Sequence, residues 1–464
     1  MNRKVTLLYI SLACVLSVQA QTRQQMGGVY YAYPEGPSAK TGTFGKVTYV
    51  MSDSLNVPQG YAPFYISHYG RHGSRWMPKD DRYVWICKHF EDESNLTPLG
   101  LQVKGMLQRV WENAKGNGGK LSKLGALQHQ GIAHRMFERY PQIFAAGNAV
   151  KARSSVVDRC AKSMLAFSSE LHTLQPGLNL DVKTDSADMA WIAYASPEVK
   201  ALENRTHVQA QVSPRRFLLQ LFKDVSKVDE PLKLMTEMHT VASSIQDVGL
   251  NFSSYPQDIE DGLNALFTDD EFRAIYEANN LRMAINNGTV ATNEDIPARS
   301  AISLWQNIEA EADRALRSVK SSATLRFGHD TALYRLLSLL FDVNVPPAGA
   351  REEASLVVLG DETEKMDRVV PMAANLQMIF YKNAKDSVLV KFMLNERDVM
   401  LSPVGQVIYG THYYSWNAWK QEMHERIHRL EHIRQLNAVN TMVGTAQANT
   451  QTAGMFGKGS EEHG

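Results

Sequence analysis

The sequence predicts an α/β core interrupted by a mostly helical insertion, and three observations carry that prediction. Strand-like runs that pass through a polar turn into a helix-patterned run occur near both ends of the chain. Between about residues 190 and 318 the strand signal fades and long helical patterns take over. The length of 464 residues exceeds one small domain, while 44% hydrophobic and 21% charged residues are ordinary for a globular chain. Lys+Arg and Asp+Glu both total 49, so no global field draws the chain to nucleic acid or an anionic membrane. Any anion site must come from a local cluster.

The elements follow in order. Arg3 and Lys4, the apolar run "VTLLYISLACVLSV" and Val18-Gln19-Ala20 form a cleavable secretory signal over residues 1–20, which predicts a periplasmic or secreted protein. No stretch reaches the ~18 uninterrupted apolar residues of a membrane span, so membrane insertion is not expected. Cys14 offers a lipoprotein acylation site as the lesser alternative, because the apolar residues continue past it. Cys87 and Cys160 then remain, enough for one bridge that sequence cannot assign. Four Asn-x-Ser/Thr sequons stand at Asn95, Asn204, Asn251 and Asn287, and matter only in a eukaryotic secretory route; scarce cysteine points instead to a bacterial periplasm.

"YAPFYI" (61–66) reads as a buried strand that ends in a loop at Gly70 and Gly73. The stretches 96–113 and 121–141 share an opening of Leu, a capping hydroxyl residue and a later Leu-Gly, which makes them two capped helices or a faint duplication. "AVKARSSVVDRCAKSMLAF" (149–167) is a strand, a Ser-Ser turn and an amphipathic helix. After the helical middle, "ATLRFGHD" (323–330) is strand-like, with Leu333, Leu336, Leu337, Leu340 and Phe341 at helical spacing, and "SVLVKFMLN" (387–395) is another strand. The predicted division is a core in two parts (21–189 and 319–440), the insertion (190–318) and a disordered Thr/Gln/Gly/Ser-rich tail (441–464).

Three of these strand ends carry polar clusters: Arg71-His72-Gly73-Ser74-Arg75, Ser154 to Arg159, and His329-Asp330. In open α/β sheets ligands bind beyond the carboxyl ends of the strands, where helix N-termini also favour anions. Three arginines and two histidines converging there would make a phosphate pocket, since guanidinium forks match phosphate oxygens.

Arg71-His72-Gly73-x-Arg75 with a distant His329-Asp330 resembles the histidine acid phosphatase family, in the branch that holds phytases. "LSKLGALQHQGIAHRMFERYP" and "RSSVVDRCAKSMLAF" are similar to two further blocks in the family's order, and "VVPMAANLQMIFY" (369–381) and "VLVKFMLNERDV" (388–399) to the multiple inositol-polyphosphate phosphatases within it. The resemblance spans most of residues 60–400 and implies a Rossmann-like mixed sheet flanked by helices. It also implies a metal-free, cofactor-free phosphomonoesterase in which His72 is the nucleophile, Asp330 the proton donor, and Arg71, Arg75, Arg159 and His329 bind the phosphoryl group. The implied partner is a phosphorylated small molecule, with inositol phosphates foremost, and the protein is expected to be a monomer or weak oligomer. Two departures stand out. The family's proline is displaced by one, to Pro78, and His329-Asp330 replaces the His-Ala-Glu of the inositol-polyphosphate branch.

Competing readings attach to several of these residues. His68, two positions beyond Ile66, reads as a packed histidine on the same strand face. Asp330 alone would pass for a helix N-cap, and Arg153 reads as exposed. His424-Glu425-Arg426-Ile427-His428 fits the zinc metalloprotease motif H-E-x-x-H. No third ligand follows it short of Glu461 or Glu462, and Met423, Ile427 and Leu430 give that helix its own apolar face. Besides a broad-specificity acid phosphatase, the alternatives are therefore this zinc protease and a non-catalytic anion binder.

Overall fold

Strand β3 (Tyr61–Arg71) separates two hydrophobic cores, because its side chains alternate between them. Tyr65 and Tyr69 enter one and Ile66 the other. In this computed structural model the described residues are 22–33, 41–44, 47–50, 57–250, 262–288, 290, 293–340, 366–398 and 413–435. The expected signal segment with Cys14, the sequon at Asn251, Glu461, Glu462 and the tail lie outside them.

A small antiparallel pair, β1 (Thr41–Phe44) and β2 (Val47–Val50), precedes the main sheet. The main sheet also contains β4 (Ala149–Ser154), β5 (Asn179–Thr184), β6 (Ser322–Gly328), β7 (Asn375–Asn383), β8 (Val388–Leu394), β9 (Arg397–Asp398) and β10 (Tyr414–Ser415). Its order is β10-β8-β7-β3-β6-β4-β5, with β9 paired to β8. β3, β6, β4 and β5 run parallel, while β7 is antiparallel to both β3 and β8. The predicted mixed α/β sheet is thus observed. Its register pairs Arg71 with Gly328 and Phe327 with Ser154, so three carboxyl ends stop level with one another.

On the Ile66 face lie α3 (Lys123–Arg139) and α4 (Asp158–Leu174), which contribute Ile132, Met136, Phe167 and Leu171 to that core. Ser122 caps α3 by accepting from Gly125 N, as Thr97 caps α2 (Pro98–Ala114) by accepting from Gly100 N. On the Tyr65 face lie α11 (Ile302–Leu316), α12 (Asp330–Leu340) and the helix at 416–435, with Trp305, Leu333, Leu337 and Trp419. A third core joins α1 (Asp81–Lys88) and α2 to α8 (Pro231–Val248) and α9 (Asp269–Asn287).

This packing cuts across the predicted boundaries of the insertion. α11 falls inside 190–318, yet its stripe of Leu304, Trp305 and Ile308 covers the sheet. α1 and α2, expected in the core's first part, pack with the insertion's helices. Periodicity reveals that a helix has an apolar face but not which surface will cover it. Cys87 and Cys160 are both free thiols, one against the helical core and one buried in α4. No described helix is long and apolar enough to cross a membrane.

Candidate active site

The loop that follows β3 is held on all sides. His72 N donates to Gly328 O at 3.0 Å and Ala373 N donates to His72 O at 2.9 Å, which pins the loop between β6 and the lead-in to β7. Gly73 N donates to Ser163 Oγ at 3.1 Å. A Cβ on Gly73 would overlap the backbone of Gly125 in the first turn of α3, so this close approach requires glycine.

His72 is buried, and its Nδ1 lies 2.9 Å from Gly73 O. A carbonyl can only accept, so Nδ1 carries the proton and Nε2 keeps its lone pair. Burial, then Arg71, Arg75, Arg159 and His329, push the imidazole well below its ordinary range, so the ring is neutral near pH 7.

Arg71 is fully buried. Its Nη1 donates to Val29 O at 2.7 Å and to Val370 O at 2.6 Å, and its Nη2 stands 3.0 Å from Asp330 Oδ2. Arg71 Nε, Arg75 Nε and Arg159 Nε are buried without hydrogen-bond acceptors among the described residues. Cationic donors left so are expensive, and an anion supplying several oxygens would satisfy them together. Arg75 donates through Nη1 to Trp76 O at 2.8 Å, with its guanidinium 5.5 Å from the Tyr30 ring centre. Arg159 sits in the first turn of α4.

His329 faces His72 edge-on with ring centres 5.8 Å apart, and its Nε2 is 3.3 Å from Ser155 Oγ. Burial, then Arg159, pushes it down to about 4. Asp330 is the first residue of α12. Its Oδ1 accepts from Thr331 N at 2.9 Å while Oδ2 faces Arg71, so it serves the helix start and the cluster at once. Burial pushes the Asp330 carboxyl up, but Arg71, His329 and Arg75 outweigh that and hold it below its ordinary value. A cavity of about 420 Å³ opens beside Asp330, lined among others by Arg82, Glu203, His239, Tyr276 and Arg282.

All six candidate residues therefore gather at one edge of the sheet. His68 does not join them. It packs between Phe167 and Phe327, and burial drives its imidazole down to about 3. Arg153, expected to be exposed, is instead partly buried across β4 and β5, donating to Asp181 O at 2.8 Å and Oδ2 at 2.5 Å. Its strand position places it beside β5 rather than in solvent. Pro78 is exposed, with its carbonyl against Gly119, and buried Met77 faces the helical core. Several contributors escaped the sequence reading: the carbonyls of Val29 and Val370, and a buried polar group behind Ser74. Only Gln128, a polar side chain amid the apolar pattern of 121–141, gave a signal for the last.

The zinc motif resolves differently. His424 Nε2 bonds Glu309 at 2.8 Å on an exposed flank, while Met423 and Leu430 face the core. Among the described residues no group of three or more His, Cys, Asp or Glu side chains is arranged to hold a metal.

A neutral buried histidine ringed by guanidiniums thus stands at the carboxyl edge of an α/β sheet, and the known proteins similar to this chain are phosphatases and phytases by name. Multiple inositol polyphosphate phosphatase 1 of Gallus gallus is 23% identical over 341 residues, 70% of this chain and 73% of that protein. The Bifidobacterium longum multiple inositol polyphosphate phosphatase, solved in complex with phosphate, shares the fold with a TM-score of 0.63 at 16% identity, covering 85% of this chain and 97% of that one. The phytase from D. castellii matches with a TM-score of 0.60 at 12% identity, covering 90% and 89%. No family model matches the chain. The resemblance to the histidine acid phosphatases read from the sequence is borne out by these similarities.

Proposed function

We propose that this protein is a phosphomonoesterase that hydrolyses inositol phosphates through a phosphohistidine. One observation carries the proposal: a histidine whose Nδ1 is committed to Gly73 O, leaving the Nε2 lone pair for attack, stands among three guanidiniums whose buried Nε donors have no acceptor among the described residues. In the first step His72 Nε2 attacks phosphorus in line. The P–N bond forms, the P–O ester bond breaks, and the leaving alkoxide takes a proton from Asp330. Arg71, Arg75, Arg159 and His329 hold the equatorial oxygens, whose charge dominates the barrier in phosphoryl transfer. In the second step Asp330 takes a proton from water as it attacks. The P–N bond breaks, releasing phosphate and neutral His72.

Asp330 must start protonated, whereas Arg71 favours its anion in the free protein. A bound phosphoryl dianion answers Arg71's charge and repels the carboxylate, so substrate binding itself raises the Asp330 carboxyl towards the acid form.

The similarity to proteins named as inositol polyphosphate phosphatases and phytases supports the substrate class, and a cavity of about 420 Å³ beside Asp330 offers room for it. A second reading, a less selective acid phosphatase, is favoured by how that cavity's charges are matched. Arg82 pairs with Glu237 and Glu203 pairs with Arg335, which leaves Arg282, bonded only to the Asn279 side chain, as the one arginine lining the cavity without an ion pair among the described residues. The sequence of residues 1–20 supports export to the periplasm or medium, which N-terminal sequencing of the mature protein would test. Action as a monomer or weak oligomer would be read by sedimentation.

The decisive experiment measures phosphate release from phytate, lower inositol phosphates and p-nitrophenyl phosphate. His72→Ala should abolish it while EDTA leaves the wild type unchanged. Activity that survives His72→Ala and dies on chelation would overturn the proposal.

A further inference from the structure

Ser74 lies between His72 and Arg75, and each of its polar groups is bonded to a helix outside the loop. Its N–H donates to Gln128 Oε1 at 2.8 Å, and Gln128 Nε2 donates to its Oγ at 2.9 Å. Its carbonyl accepts from Ser122 N at 2.8 Å. Its hydroxyl proton goes to Asp247 Oδ1 at 2.6 Å. Ser122 Oγ closes the group, lying 2.9 Å from Ser74 O and 2.7 Å from Asp247 O. All four residues are buried.

Asp247 is an unexpected residue here. It comes one residue before the end of α8, fully buried, and Oδ2 has no partner among the described residues. A helix end packed against a loop needs no carboxyl group, and one with an unpaired buried oxygen costs stability. Burial pushes this carboxyl up to about 8 despite Ser74, Arg75 and Arg71, so near pH 7 it is mostly the neutral acid. It therefore holds the loop without cancelling the guanidinium charge.

We propose that Asp247 is a positioning residue of the phosphate pocket: by holding the Ser74 hydroxyl it fixes the backbone that sets the nucleophile His72 and the clamp Arg75 at their spacing. The contact also ties the helical part of the molecule to the catalytic loop, since α8 packs in the helical core. Pocket groups must be held within fractions of an ångström for in-line transfer, so a slack loop costs rate without unfolding the protein.

This inference rests on the phosphatase reading. Wild-type phosphate release tests that reading, and only differences among variants test the inference. Asp247→Ala should lower kcat/KM for p-nitrophenyl phosphate by roughly 10- to 100-fold and weaken inhibition by inorganic phosphate. Asp247→Asn, which keeps an acceptor for Ser74, should restore most of the loss. Ser74→Ala should lose at least as much as Asp247→Ala, since it also removes the acceptor of Gln128 Nε2, and the double variant should be no worse than Ser74→Ala alone, because the Ser74–Asp247 interaction is then already gone. Thermal melts and active-site titration separate pocket effects from loss of folded protein. If Asp247→Ala does not fold, Ser74→Ala carries the test. The inference is overturned if phosphate inhibition and kcat/KM per folded molecule stay within about twofold of wild type, or if the two losses simply add.

Discussion

Arg71 Nη2 lies 3.0 Å from Asp330 Oδ2, so the group assigned to bind phosphate holds the group assigned to donate the proton as its anion. In the proposed mechanism the two roles are coupled through charge, and substrate arrival would separate them. Asp330→Asn removes the proton without removing the shape. Release from alkyl phosphates should fall by roughly 100-fold or more, and from p-nitrophenyl phosphate far less, because p-nitrophenolate leaves unaided. Parallel kinetics on the two substrates check this. Equal losses would count against Asp330 as the acid.

The pH profile follows from the same cluster. A base whose value is lowered stays unprotonated to lower pH, and burial with the three arginines lowers His72 well below 6.5. kcat/KM for p-nitrophenyl phosphate should therefore show no acid-side loss centred near 6.5. It should persist towards pH 4, where His329 also begins to take a proton. A profile measured from pH 3 to 8, with the substrate's own ionisation subtracted, decides the matter.

Arg71→Lys keeps the charge and loses the fork. Val29 O, Val370 O and Asp330 Oδ2 surround this guanidinium, and no single ammonium can face all three and the phosphoryl group together. A loss of about 100-fold in kcat/KM and weaker phosphate inhibition are expected. A variant within threefold of wild type would show that point charge alone suffices.

Gly73→Ala tests the packing beneath the nucleophile. The added methyl meets the Gly125 backbone, which is capped by Ser122 and cannot shift like a flexible side chain. Overpacking of this kind costs about 1–3 kcal/mol, read as a lower urea midpoint, with activity falling further than stability. Unchanged stability would mean that loop and helix part easily.

His424→Ala and His428→Ala should leave phosphate release within twofold, since His424 is spent on Glu309 at the flank of its helix. Kinetics beside metal analysis of the purified protein check it. Stoichiometric zinc lost on mutation would revive the metal reading.

The local pieces of this site can be read from neighbouring residues along the chain. A β-branched and aromatic run ending in Arg71-His72-Gly73, a Ser-Ser turn leading to Arg159, and a strand closing on His329-Asp330 are legible because strand patterning, turns and caps depend on near neighbours. What completes them comes together only on folding. The parallel register of β3, β6 and β4 brings the three ends level, and backbone carbonyls at Val29 and Val370, hundreds of residues apart in the chain, meet on one guanidinium. Every residue has such a carbonyl, so no sequence pattern can mark these two. The sorting of helices between cores was equally hidden, since α11 and α8 both have apolar faces and only packing assigns one to the sheet and the other to the helical layer. Asp247 is the sharpest case. Its role comes from burial and from one hydroxyl, Ser74, 173 residues earlier, and burial at that distance is a property of the folded chain alone.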